Sequence, residues 1–174
     1  MMHLTATRAR PALAFAGLAL LGSAAMAAAA QITVPMWPVP ATLQSLVVLL
    51  IGALGGPALG AAALIAYVVE GAMGLPVFAG GAAGPAALMG PTAGYLLGFI
   101  LSAWLAGFTP RSGLLRQGAT LLGAHLAMFI PGVLWLATVT GLEKALMAGF
   151  VLFIPGTLVK TALALATLRA VRRG

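Results

Sequence analysis

The chain has 174 residues, of which 62% are hydrophobic and only 6% charged, and nine Lys and Arg against two Asp and Glu give a formal net charge of +7. A soluble domain carries about a quarter charged residues, so too few ions are present to solvate a globule and hydrocarbon is the solvent this composition suits. A membrane span needs roughly 20 apolar residues; six spans use about 120 residues and leave short loops with no extramembrane domain, so a single transmembrane domain is expected, an all-α membrane protein built as a compact bundle of six helices.

Apolar runs read against Gly and Pro predict spans at Pro11–Ala30, Thr42–Leu54, Pro57–Met73, Pro91–Phe108, Leu114–Thr140 and Ala145–Leu168. The first has a second reading. Arg8 and Arg10, an Ala/Leu run and Ala28-Ala29-Ala30-Gln31 also fit a cleaved secretory signal. The run is long enough to cross, and its loss would put the two termini on opposite sides, so it is expected to stay as helix one. Its small residues, Ala12, Ala16, Ala19 and the 24–30 stretch, suit close helix approach, either inside the bundle or against another membrane subunit. Pro57 and Pro91 sit where a first-turn proline is tolerated. Pro131 and Pro155 are expected inside spans, where they free backbone carbonyls.

The cations orient the bundle. Arg8 and Arg10 precede span one, Arg111 and Arg116 lie between spans four and five, and Arg169, Arg172 and Arg173 follow span six. All fall on one side of a six-span arrangement; Lys144 falls on the other and Lys160 lies within span six. The positive-inside rule then puts both termini in the cytoplasm of a multi-pass protein of the bacterial inner (plasma) membrane. The basic excess is an orientation signal, and nucleic acid is not expected as a partner. The outer loops, Gln31–Ala41 and Gly74–Gly90, hold no Lys or Arg and are rich in Pro and Gly.

A polar side chain within a span is costly and by default a functional hypothesis. Lys160 stands about 22 Å from one end of its expected helix and about 18 Å from Arg172 at 1.5 Å per residue, too deep to snorkel unless that helix is short or broken. Thr157 shares its face at i, i+3. No carboxylate is evidently placed to neutralise Lys160, which points to an anionic ligand or bound water. Glu70 reads as an interfacial charge at the end of span three, and His125 as a buried hydrogen-bonding residue. Trp37, Trp104 and Trp135 suit interfacial anchoring. Tyr67, Phe78 and Tyr95 gather around the second outer loop, as belt residues or as walls of an apolar pocket. The Gly80-Gly81-Ala82-Ala83-Gly84-Pro85 run suits a lid.

The same inventory removes chemistry. Cysteine and aspartate are absent, the only acids are Glu70 and Glu143, and the only histidines are His3 and His125. Disulfides, thiolate metal sites, a Ser-His-Asp triad and paired-carboxylate catalysis lack their parts. No Gly-Lys-Ser or Gly-Lys-Thr occurs, so no phosphate-binding loop is present. Neither enzymatic activity nor a metal or cofactor is expected, and work driven by ATP would need another chain.

The motifs carry a resemblance. Val39-Pro40-Ala41-Thr42-Leu43-Gln44 is followed by Gly52-Ala53-Leu54-Gly55-Gly56-Pro57-Ala58-Leu59-Gly60, then Tyr67, Gly71, Gly74-Leu75-Pro76-Val77-Phe78-Ala79-Gly80 and Gly90-Pro91-Thr92-Ala93-Gly94-Tyr95-Leu96-Leu97-Gly98-Phe99. Gly132-Val133-Leu134-Trp135-Leu136 and Pro155-Gly156-Thr157-Leu158-Val159-Lys160 complete the series. From about Thr33 to about Leu168 the chain resembles the BioY family, the biotin-specific S components of energy-coupling factor (ECF) vitamin transporters. The resemblance implies a six-helix bundle holding biotin near the outer face, walled by the second outer loop and helices four to six. It implies as partners an ECF transmembrane coupling protein and two ATPases, although some members are proposed to work without a dedicated module. The family usually has an aspartate where Thr157 stands, in a Pro-Gly-Asp-x-x-Lys pattern. A threonine hydroxyl carries no charge, and losing one charge-assisted hydrogen bond costs roughly 1.5–3 kcal/mol.

The expected substrate-binding residues are Gln44, Phe78, Thr92, Tyr95, Thr157 and Lys160. Phe78 and Tyr95 would cover biotin's valeryl chain and thioether, while Thr92, Gln44 and Thr157 would serve its urea-like ring. Which end of biotin Lys160 meets stays open. An S component for another vitamin, or a membrane scaffold without a saturable site, are the other classes this sequence admits.

Overall fold

In lipid every backbone polar group must be paired internally, and a chain of Ala, Leu, Val and Gly runs meets that demand with helices. The structure is a computed structural model that describes residues 3–173, with side-chain surroundings from residue 11 onward. The side chains of His3, Arg8 and Arg10, the last two of which enter the orientation reading, lie outside the described residues. In chain order the elements are α1 His3–Gln31, β1 Thr33–Val34, β2 Ala41–Thr42, α2 Gln44–Ala72, a 3-10 turn Ala79–Gly81, α3 Gly84–Ala87 and α4 Ala93–Ala106. Then follow α5 Leu114–Ala127, α6 Phe129–Thr140, α7 Leu142–Gly149, a 3-10 turn Val151–Phe153 and α8 Ile154–Val171. The two strands pair antiparallel, Thr33 opposite Thr42.

Helix α2 doubles back on itself. Gly56 is the one non-helical residue inside it, at φ 82° and ψ 171°, a conformation only glycine enters cheaply, and Pro57 starts the return. A straight helix would hold Gln44 and Tyr67 about 35 Å apart at 1.5 Å per residue. Instead Gln44 Nε2 donates to Tyr67 Oη at 2.8 Å. The two arms, residues 44–55 and 57–72, are therefore two antiparallel segments. They meet at Gly52 and Gly60, and a Cβ on Gly60 would lie 2.8 Å from the Ala103 carbonyl of α4. Apolar side chains gain little by leaving lipid for each other, so close backbone approach through small residues is what holds such helices together.

Helix α5 passes into α6 through the single residue Met128, and the pair is long and apolar enough to cross, as is α1. Gly141, at φ 83°, reverses the chain. Helix α7 then runs back along α6, since Gly132 and Gly149 both border the Tyr95 ring. With α4, these segments form an all-α six-helix membrane bundle.

Two expectations about the last span are corrected. It starts at Leu142 and is broken: Phe150, at φ −132° and ψ −60°, ends α7, and α8 starts afresh at Ile154. Pro155 consequently lies in the first turn of α8, where a missing N–H costs nothing. Lys160 is correspondingly the seventh residue of α8. Pro131 stays inside the fifth span: Met128 keeps helical φ/ψ, Leu114–Thr140 crosses as one segment, and the missing N–H of Pro131 leaves the Ala127 carbonyl without its helical partner, as expected.

The core divides into two. One cluster, with Met26, Val48, Leu64, Tyr67, Phe78, Tyr95, Phe99 and Phe129, fills the end that carries the two long loops. The other, with Leu49, Ala53, Ala106, Leu121, Ala124, Ala164 and Leu168, fills the end where α2 turns. There Arg172 donates to Pro110 O at 2.8 Å and Ala53 O at 3.0 Å, covering carbonyls that helix ends leave unpaired.

Candidate binding cavity

A cavity of about 280 Å³ opens at the loop-bearing end, close to the lower limit of about 300 Å³ typical of small-molecule sites. The segment before α2 contributes Val39, Pro40 and Thr42, and the first turn of α2 contributes Gln44 and Ser45. The second long loop supplies Phe78, Ala79, Ala82, Ala87, Gly90, Pro91 and Thr92. Helix α4 adds Tyr95, Leu96 and Phe99, the α5–α6 junction adds Met128 and Phe129, and Phe153 and Lys160 close it from the last span.

Five of the six expected binding residues, Gln44, Phe78, Thr92, Tyr95 and Lys160, line this one cavity. Thr157 is buried, at 3% exposure, but is not among the lining residues. Because α8 begins only at Ile154, Thr157 lies in its first turn and the ammonium of Lys160 reaches the wall alone. Val39, Pro40, Thr42, Ser45, Phe129 and Phe153 also line the cavity, and the sequence does not single them out as binding residues. A polar Ser45 beside Gln44 is the one available signal for them. Nothing local marks Phe129 within a uniformly apolar stretch.

Each wall has a built support. Phe78 packs edge-to-face on Tyr67, ring centroids 5.4 Å apart, and its ring occupies the space a side chain at residue 71 would take, so Gly71 is required there. Tyr67 Oη accepts from Gln44 and donates to Val77 O at 3.0 Å, fixing the start of the loop. Gln44 Oε1 in turn accepts from Thr42 Oγ1 at 3.0 Å. Across the cavity Tyr95 Oη donates to Gly149 O at 2.7 Å, tying α4 to α7. Phe129 stands edge-on to Tyr95 and Phe150, with Phe153 beside it. Behind it His125 is buried and shares a 2.8 Å hydrogen bond with Thr161. Trp135 Nε1 donates to Gly90 O at 2.9 Å and pins the far end of the loop.

The loop itself turns through Gly80, Gly81 and Gly84, at φ 69°, 74° and 77°. Glu70 accepts a hydrogen bond from Ser23 of α1, and so does not face the cavity.

Lys160 Nζ donates to Thr42 O at 2.6 Å and Ser45 Oγ at 3.2 Å. It is the only charged residue among those lining the cavity, so an ammonium stands in a mostly apolar chamber without a carboxylate beside it. Such a chamber suits an elongated small molecule with an apolar middle and an anionic or strongly polar end. Among the described residues no group of three or more His, Cys, Asp or Glu is placed to hold a metal.

Comparison with known proteins bears on the same stretch. The sequence model of the BioY family matches residues 3–174. The probable biotin transporter BioY of Pyrococcus horikoshii is 41% identical over 135 residues, covering 78% of this chain and 82% of its own. The biotin transporter BioY of Thermotoga maritima is 41% identical over 149 residues, 82% of this chain and 85% of its own. A crystal structure of the S component for biotin from an ECF-type ABC transporter has the same fold, with a TM-score of 0.84 at 23% identity over 95% of this chain and 94% of that one.

Proposed function

The chain belongs to the BioY family, and from that premise we propose that it is a biotin-binding S component, which captures biotin at the outer face of the membrane and delivers it inward. The observation that carries the reading is the cavity: a chamber of about 280 Å³, mostly apolar, with Lys160 as its sole charge. Biotin is a monoanion with an apolar valeryl chain, a thioether and a urea-like ring. Phe78, Tyr95, Phe99 and Phe129 would cover the chain and sulfur. Gln44, Ser45, Thr92 and Lys160 would serve the polar ends. Thr157 would support Lys160 from the same helix without reaching the ligand. The names of the relatives support biotin among small acids.

The wider setting follows from charge. The distribution of the seven arginines supports a cytoplasmic side for both termini in the bacterial inner membrane, with the cavity on the opposite side. With no phosphate-binding loop in the sequence, concentrative uptake needs an ECF transmembrane coupling protein and two ATPases, and this chain performs no catalytic step. The test is equilibrium binding of labelled biotin to the purified protein in detergent, with desthiobiotin and riboflavin as competitors. Saturable binding displaced by desthiobiotin but not by riboflavin is expected. Binding of riboflavin in preference to biotin would assign the chamber to another vitamin, and no saturable binding of either would remove the transport reading.

A further inference from the structure

We infer that the groove between α5 and α8 is a binding site for an anionic glycerophospholipid, with an acyl chain in the groove and the phosphodiester between Arg116 and Arg169. The site lies on the outside of the bundle, and nothing in it depends on what the chamber binds.

The groove encloses about 480 Å³ and is walled by Leu115 and Leu122 of α5 and by Leu158 and Leu165 of α8. It runs for about 10 Å at 1.5 Å per residue. Gly118, Ala119 and Ala162 line it between these leucines. At Gly52 and Gly94 the missing side chain lets a second backbone into contact, whereas a Cβ on Gly118 would meet only Leu165 Cδ2 at 3.5 Å. Ala119 and Ala162 are exposed, so no helix of the bundle covers them. Thr161 is the one polar side chain lining the groove, and its hydroxyl is engaged with His125 Nδ1 at 2.8 Å. The groove therefore offers its occupant apolar surface along its length, which suits an acyl chain.

Cations stand at one end of it. Helices α5 and α8 run antiparallel, with Gly118 beside Leu165 and His125 beside Thr161. One turn farther, towards the end where α2 turns, α8 carries Arg169, four residues after Leu165 and on the same face. Arg116 of α5 reaches the same level: its Cβ, Cγ and Cδ lie 3.7–3.8 Å from where a Cβ on Gly113 would stand, so the side chain runs back towards the start of its helix. Arg172 is taken up by Pro110 O and Ala53 O. The chain's two acids are at the loop-bearing end, Glu70 near the end of α2 and Glu143 in the first turn of α7. Arg116 and Arg169 therefore have no Asp or Glu to meet.

These two features together select the ligand. A guanidinium presents a planar fork of donors that matches a phosphate, and basic pockets between membrane helices take anionic head groups. Free phosphate would satisfy the arginines and leave the groove unfilled. A zwitterionic lipid would fill the groove and bring its own ammonium towards two guanidinium groups. An anionic glycerophospholipid answers both the groove and the charge.

The site is tested by native mass spectrometry of the full-length, delipidated protein in detergent, titrated with phosphatidylglycerol or phosphatidylcholine of identical acyl chains. The parent is expected to prefer phosphatidylglycerol by about 30-fold, since each arginine near the membrane surface contributes about a factor of five. With Arg116→Gln and Arg169→Gln together the preference should fall to a few-fold. Arg111→Gln with Arg173→Gln removes the same charge at the same end but outside α5 and α8, and should keep most of the preference. Ala119→Leu fills the groove and should weaken both lipids alike. Inorganic phosphate at the lipid concentration should displace neither. Equal binding of the two lipids by the parent would overturn the inference, as would the same loss of preference in both arginine pairs, which would reduce it to diffuse attraction. Unchanged binding by Ala119→Leu, or displacement by inorganic phosphate, would overturn it too. If the Arg116/Arg169 variant does not fold, the parent's preference and the Ala119→Leu result decide.

Discussion

The two ends of this bundle are built to opposite rules. At the end where α2 turns, small residues bring backbones into contact: Gly52 and Gly60 lie on the Ala103 carbonyl, and Gly107 lies against Pro57. Arg172 closes the loose carbonyls of Ala53 and Pro110. At the other end large aromatic side chains are held apart around a cavity, each propped by a hydrogen bond or an edge-on neighbour. The contrast shows how a chain this apolar divides its labour. Packing without space makes a scaffold, and packing with supported space makes a site.

The contrast can be broken or sharpened by substitution. The largest effect is expected from Gly52→Leu, because the neighbour that a side chain would strike is the backbone of Ala103. Overpacking of this kind costs about 1–3 kcal/mol or more. Thermal unfolding in detergent should show a large drop in Tm, with binding lost as a consequence. A Gly52→Leu protein that melts like the parent would mean the small-residue contacts are not what holds this end together.

Lys160→Met should do the reverse, weakening biotin binding by about 1.5–3 kcal/mol while leaving Tm of the ligand-free protein unchanged or higher. Its apolar stem is kept and a half-buried charge without a counter-ion is removed. Isothermal titration alongside thermal unfolding separates the two readouts. If affinity is untouched in a folded protein, Lys160 is outside the site.

Tyr95→Phe removes only the hydrogen bond to Gly149 and should cost about 0.6–1.5 kcal/mol. Because that bond both ties α4 to α7 and fixes a cavity wall, stability and affinity should fall together, a mixed behaviour that neither end alone would show. The smallest effect is expected from Arg172→Met. Its two carbonyl contacts lie at an exposed residue, so the loss should be under about 1 kcal/mol in Tm. Biotin affinity should not move, and a clear loss of affinity would show that the two ends are mechanically coupled.

Much of this is legible in the residues one by one. The Gly55-Gly56-Pro57 step marks the reversal of α2 because glycine admits the positive φ and proline suits a first turn. Gln44, Phe78, Thr92, Tyr95 and Lys160 stand out as unusual polar or aromatic groups beside irregular loops in a chain otherwise made of small apolar residues. Pro131 reads as interior to its span and is, whereas Pro155 reads as interior and lies in the first turn of α8. An apolar run gives no sign of where one helix stops and the next begins, so the break at Phe150 leaves no local trace and Lys160 reads as deeper in its helix than it is.

Composition determined the solvent, and the solvent determined the secondary structure, since lipid leaves the backbone no partner but itself. The scarcity of acids likewise settled in advance that Lys160 would have few carboxylates to meet. What only the tertiary structure decided is which groups hold that lysine, which face of each helix looks inward, and that Phe129 joins the cavity wall while Thr157 does not. The reason is that a lipid-facing side is as apolar as a core-facing one, so α1 and α8 carry no amphipathic stripe to declare their inner face. Thr42 and Ser45 reach Lys160 across more than a hundred residues of chain, a meeting that no local pattern encodes and that exists only once the helices are packed.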